Sequence, residues 1–128
     1  MNDKPEASAL LAAARDAFTA EILPALPPAL RFTGLMIANA MGIVQRETAL
    51  GDGPARAELA RLGKLLQSGA GDPGSGEALR SALEDYNRRL AREVRAGRFD
   101  GPERAALLEH LTRTTEEKLA VSNPKALK

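Results

Sequence analysis

A chain of 128 residues without Cys is long enough to bury a core and cannot carry a disulfide framework, a thiol nucleophile or a thiolate metal site. The 18 Lys and Arg nearly balance 17 Asp and Glu, with the signs mixed along the chain, and Phe18, Phe32, Tyr86 and Phe99 are the only aromatic residues. Nucleic-acid binders concentrate basic charge on one face and often add stacking rings, so nucleic acid is not an expected partner. No apolar run has the length of a membrane span and no leader pattern is visible, so no membrane partner is expected and the expected compartment is the cytoplasm. With few rings, the core must be built from Leu, Ala, Ile, Val and Met, which suits helix-on-helix packing.

Asp3 and Glu6 have capping-box spacing, and from Pro5 the residues Ala7, Leu10, Leu11, Ala14, Phe18 and Ile22 recur at helical intervals. This predicts a first helix with one apolar stripe. Pro24, Pro27 and Pro28 forbid its continuation, and Leu23 to Pro28 is expected as a stiff, extended corner. Pro28 suits the first turn of a second helix, which should run to about Leu50.

That second helix is the expected centre of the fold. Phe32, Leu35 and Ile43 lie on one side of its wheel, Met36 and Ala40 beside them, and Ile37, Met41 and Val44 opposite. A helix apolar all round is a buried helix. The expectation is therefore an all-α domain of about five helices packed as a compact bundle around a buried helix at 28–50. Gly34, Ala38 and Gly42 form a narrow stripe where another backbone could approach, and each Gly costs about 1 kcal/mol relative to Ala in a helix, so close packing must offset it.

Gly51-Asp52-Gly53-Pro54 is a stop followed by a start, and a third helix carries Ala55, Leu59, Leu62 and Leu66 on one face. In the following segment Gly69, Gly71 and Gly74 satisfy G-x-G-x-x-G, but that pattern cradles phosphates only between a strand and a helix. Without a strand or a following Lys, residues 68–76 read as a flexible loop. Ser75 is the candidate cap of a fourth helix with Leu79, Leu83, Tyr86, Leu90 and Val94 on one face, closed by Gly97. Glu84 with Arg88 and Arg89 with Glu93 form i,i+4 pairs on its wet side. Asp100-Gly101-Pro102-Glu103 starts a fifth helix bearing Leu107, Leu108, Leu111, Leu119 and Val121, which Asn123-Pro124 stops.

Catalytic constellations are missing from this pattern. His110 is the only histidine, so no two-His metal set exists and any Ser-His-Asp arrangement would depend on it alone. Beside Glu109 it reads as a surface residue of the fifth helix, and no cofactor or metal is expected. Polar residues do fall where burial is expected. Asn39 and Arg46, seven apart, share a face with Leu35 and Ile43, while Asn87 and Lys118 lie on the fourth and fifth helices. With Glu47 and Asn123 they make either a hydrogen-bond network that fixes helix register or an anion pocket in which Arg46 and Lys118 receive a phosphate or carboxylate. Glu47 next to Arg46 weakens the pocket reading.

Taken together, Leu23-Pro24-Ala25-Leu26, Leu30-Arg31-Phe32, Ala38-Asn39-Ala40, Arg46-Glu47, Tyr86-Asn87 with Leu90, Arg95-Ala96-Gly97 and Lys118-Leu119-Ala120-Val121-Ser122-Asn123-Pro124 resemble a bacterial domain family of unknown function, from about Pro5 to Pro124. Members of that family are found beside, or fused to, kinases of the aminoglycoside-phosphotransferase type, often with acyl-CoA dehydrogenases nearby. The family usually has an acidic residue where this chain has Ser122, and the Gly-rich loop is particular to this chain. The resemblance implies a non-catalytic accessory domain for such a kinase in acyl-CoA or hydroxyacid metabolism. The chain has no strand-borne Lys or nucleotide-binding loop of its own. Two other readings stay open: a small-ligand protein for an acyl-CoA or phosphorylated acid, using Arg46, Lys118 and Asn39, and a self-associating module in which a leftover apolar stripe closes a homo-oligomer.

Overall fold

The computed structural model describes residues 6–69 and 71–128. Asp3 and Pro5, and with them the capping box and the first turn expected at the N-terminus, lie outside the described residues, as does Ala70 of the Gly-rich loop. Among the described residues the chain is all-α: α1 (Ala7–Ala17), α2 (Arg31–Leu50), α3 (Gly53–Leu65), α4 (Gly76–Arg95) and α5 (Arg104–Ser122), with no strand. It divides into two units, one holding α1, α2 and Val121–Ala126, the other spanning Asp52–Ala120.

In the first unit, α1 runs into a π-helical turn at Phe18–Ile22. The corner that follows is not extended throughout. Leu23–Ala25 and Pro28–Leu30 are 3₁₀ turns, and only Leu26 and Pro27 between them are extended, with ψ of 143° and 151°. The reason is that Pro at the first or second position of a turn gives up an N–H that has no partner within the turn, while its fixed φ suits a tight turn as well as an extended strand. α1 packs along the small-residue stripe of α2, where Gly34, Ala38 and Gly42 are buried. A Cβ at Gly34 would stand 2.6 Å from the Cδ1 methyls of both Leu23 and Leu26, and one at Gly42 would stand 3.1 Å from the Arg15 guanidinium carbon. Arg15 crosses here to donate from Nε to the Ala38 carbonyl at 3.1 Å.

The rest of α2 departs from the expected buried helix. Only its small-residue stripe is covered, whereas Phe32 is 73 % exposed, Leu35 57 % and Met36 54 %. An apolar surface all round a helix is buried only if neighbours stand all round it. In this unit the neighbours are α1 with its turns and a short C-terminal segment, and they leave the opposite face uncovered.

The apolar core lies instead in the second unit. Leu62 and Leu66 of α3 and its C-terminus, Leu90 of α4, Phe99 of the α4–α5 turn and Leu107 of α5 form one buried cluster, with Leu65, Leu83 and Tyr86 packed against it. The spacing read from sequence groups Leu62 and Leu66 with Leu59, and Leu90 with Leu79, and all five are buried, whereas Val94 of the α4 stripe and Leu108 and Leu111 of α5 are exposed. Gly97 takes φ of 86° where α4 ends, a left-handed conformation that Gly adopts without a Cβ penalty. Arg98 then locks the turn, donating to Glu93 Oε1 at 2.6 Å and to the Leu65 carbonyl at 3.3 Å, with its guanidinium 5.2 Å above the Phe99 ring. The Gly-rich segment is tied back by Asp72, which pairs with Arg56 at 3.0 Å and accepts the Gly74 N–H at 2.9 Å. That N–H, first among the causes, holds the Asp72 carboxyl below its ordinary value.

Candidate functional site

Two of the polar residues singled out from sequence meet in the second unit, on a carboxylate that the sequence reading did not name. Glu58 of α3 is buried, and its two oxygens are used separately. Oε2 accepts the Asn87 amide at 3.1 Å, and Oε1 lies 3.6 Å from Lys118 Nζ. Asn87 also donates to the Leu83 carbonyl one turn back, at 3.0 Å. A carboxylate taken out of water needs such partners, and here they come from α4 and α5, so the group ties three helices together. The signal was present in sequence: Glu58 stands four residues before Leu62 and therefore on the core side of α3.

A second cluster lies beside it. Arg61 of α3 grips Glu117 of α5 with both terminal nitrogens, at 2.8 and 3.0 Å, and reaches Thr114 Oγ1 at 3.3 Å. His110 is not the surface residue expected from its neighbour Glu109. It is 5 % exposed, because its place three residues after Leu107 turns it toward the same interior. Burial, and then the Arg61 charge, push its imidazole below the ordinary histidine value, against weaker opposing effects of Glu58 and Glu117. The ring is therefore neutral at neutral pH. Its Nδ1 and the Nε of Arg61 are both buried without a hydrogen-bond partner.

An open groove of about 410 Å³ runs between α3 and α5, lined by Arg61, Lys64, Glu103, His110 and Arg113 among others. Its charges are largely committed: Arg61 to Glu117, Arg113 to Glu109 at 3.4 Å, and Glu103 to Arg98 at 3.4 Å. Three of its charged side chains, Arg61, Arg113 and Glu103, thus already face an opposite charge within the chain. No group of three or more His, Asp or Glu among the described residues could hold a metal ion. No helix among them is long and apolar enough to cross a membrane.

The remaining predicted residues belong to the first unit. Arg46 of α2 is half-buried and donates from Nε to the Val121 carbonyl at 2.7 Å, fastening the C-terminal segment to α2 within the first unit. Asn39 and Glu47 are exposed on α2. Asn123 is exposed and opens the 3₁₀ turn Pro124–Leu127, its carbonyl accepting the Ala126 N–H at 3.0 Å.

Residues 24–126 match the family described as a domain of unknown function, DUF6285. The chain belongs to the DUF6285 family. The match takes in α2 to α5 of this DUF6285 domain, while α1 lies before it. No curated protein and no solved structure matches the chain.

The feature of this DUF6285 domain with the clearest physical demand is the uncovered side of α2. Phe32, Leu35, Met36, Ile37, Val44 and Leu50 are each between 42 % and 73 % exposed, with Leu30 at 49 % just before the helix. From Phe32 to Val44 the helix carries no ionisable side chain. Phe32, Leu35, Met36 and Leu50 lie on one side of the wheel and Ile37 and Val44 on the other, so exposed apolar surface flanks the covered small-residue stripe on both sides.

Proposed function

We propose that this DUF6285 domain is a non-catalytic interaction module whose working surface is the exposed apolar face of α2. In this reading it serves a kinase of the aminoglycoside-phosphotransferase type in bacterial acyl-CoA or hydroxyacid metabolism, in the cytoplasm. The observation that carries the reading is the succession Phe32, Leu35 and Met36, each more than half exposed on one helix. Single exposed apolar residues are ordinary, but a contiguous set marks a surface that gains free energy when another protein covers it. The kinase and its metabolic setting come from the family resemblance. The polar clusters support the same reading, since Glu58 and Asn87 bond to each other and Arg61 pairs with Glu117 within the chain.

The test is light scattering after size exclusion, with the chain alone and mixed with the kinase encoded beside it. Co-elution at a defined stoichiometry is expected, with loss of the complex in Met36→Glu and an unchanged helical circular-dichroism signal. Separate elution of chain and kinase removes the kinase from the proposal. Co-elution that Met36→Glu leaves intact removes α2 as the surface.

A further inference from the structure

We infer that the groove between α3 and α5 is a binding site for a small organic monocarboxylate, with the charged end on Lys64 and Gln67 and the apolar body over Leu65 and Ala106. The site lies within the second unit and is independent of the reading of α2 as a docking surface. Its volume of about 410 Å³ falls in the range of about 300–1,000 Å³ usual for small-molecule sites.

Charge selects the class of ligand. Arg61, Arg113 and Glu103 face opposite charges within the chain, and Glu109 is the partner of Arg113. Lys64 lines the same groove, is exposed, and pairs with no carboxylate among the described residues. The charge left over is therefore the ammonium of Lys64. A carboxylate matches it, whereas a phosphate monoester would bring about −1.5 to −2 into a groove that also holds Glu103 and Glu109. The end of a helix ordinarily repels an anion, but the last carbonyls of α3 are spent. Those of Gly63 and Lys64 accept the Ser68 and Gln67 N–H groups, and those of Leu65 and Leu66 accept Arg98 and Arg89.

Backbone geometry singles out Gln67. The Ser68 N–H reaches the Gly63 carbonyl at 2.8 Å and the Gln67 N–H reaches that of Lys64 at 3.2 Å, the paired bonds of a Schellman turn. Such a turn puts its C′ residue in the left-handed region, and Gln67 takes φ of 54°. Among the described residues it is the one left-handed position not held by Gly. Gly adopts this conformation without a Cβ penalty and Gln does not. The side chain kept there lines the groove three residues after Lys64, where its amide N–H groups can donate to a carboxylate oxygen that the Lys64 ammonium neutralises.

Two nitrogens of the groove-lining residues are also unspent. His110 Nδ1 and Arg61 Nε are buried with no partner among the described residues, although buried polar atoms almost always have one. His110 is 5 % exposed, so it adds a polar edge to the groove wall that is already out of water.

The experiment is an amide-detected NMR titration of the labelled full chain with hexanoate, with hexanamide as its uncharged counterpart, and with inorganic phosphate. Hexanoate should shift the Lys64 and Gln67 amides and the His110 ring signals saturably, with a Kd of about 1 mM. Hexanamide and phosphate should bind at least about tenfold more weakly. Lys64→Met should weaken hexanoate about tenfold with its helical circular-dichroism signal unchanged. Gln67→Gly should also weaken hexanoate while raising the urea midpoint, a combination that a merely structural glutamine would not give. No saturable shift at these residues overturns the site, as does hexanamide or phosphate binding as tightly as hexanoate. A hexanoate affinity unchanged in folded Lys64→Met overturns it as well.

Discussion

His110 shows how a single residue takes its chemistry from its surroundings. Exposed on a helix it would titrate near the ordinary value of 6.5, but in this fold burial and the neighbouring Arg61 lower its proton affinity. The sign of the pH effect follows. Between the folded and unfolded values the unfolded chain binds more protons, so this contribution to stability is present above pH 6.5 and is lost as pH falls through and below that value. Urea midpoints at about pH 7.5 and about pH 5 should therefore differ more in the wild type than in His110→Gln, which cannot titrate. Equal differences in the two proteins would mean that His110 is not buried as described. Arg46 makes the complementary point. Its guanidinium shares a wheel position with the apolar face of α2, and what decides its state is one carbonyl, that of Val121, 75 residues away in sequence.

At the scale of the element, α2 and α3 exchange the roles that composition suggests. α2 is the more apolar helix and yet buries only Gly34, Ala38 and Gly42, whereas α3, with Arg56, Glu58, Arg61 and Lys64, supplies Leu59 and Leu62 to the buried interior. Periodicity tells which residues of a helix share a face. It does not tell how many neighbours that helix will have. Leu62, with no exposed surface, measures where the core lies. Leu62→Ala should cost about 2–5 kcal/mol, read from the shift in the urea midpoint, because the site loses buried methyl groups and retains part of the cavity. A loss below about 1 kcal/mol would contradict a core centred on α3.

For the whole molecule, a partner that covers α2 links stability to the concentration of that partner. A folded state that binds a partner is stabilised by mass action, so the thermal midpoint of this domain should rise as the kinase is added. That of Met36→Glu should stay constant. A wild-type midpoint that the kinase leaves unmoved would place the exposed face of α2 outside that contact.

The all-α class was legible in the chain because its evidence is local. Helical apolar intervals, proline at Pro54, and glycine at Gly51 and Gly97 fix where helices start and stop through forces that act within a few residues, whereas Pro28, expected in the first turn of α2, opens a 3₁₀ turn instead and α2 begins at Arg31. The close approach at Gly34 and Gly42 was legible for the same reason, since an absent side chain is visible in sequence. Contacts between distant residues were not. That Asn87 and Lys118 meet on Glu58, that His110 turns inward beside Arg61, and that α2 keeps one face bare all depend on which helix stands next to which. A helix exposes the same pattern of side chains whatever its neighbours are; only tertiary structure decides which of those side chains are removed from water.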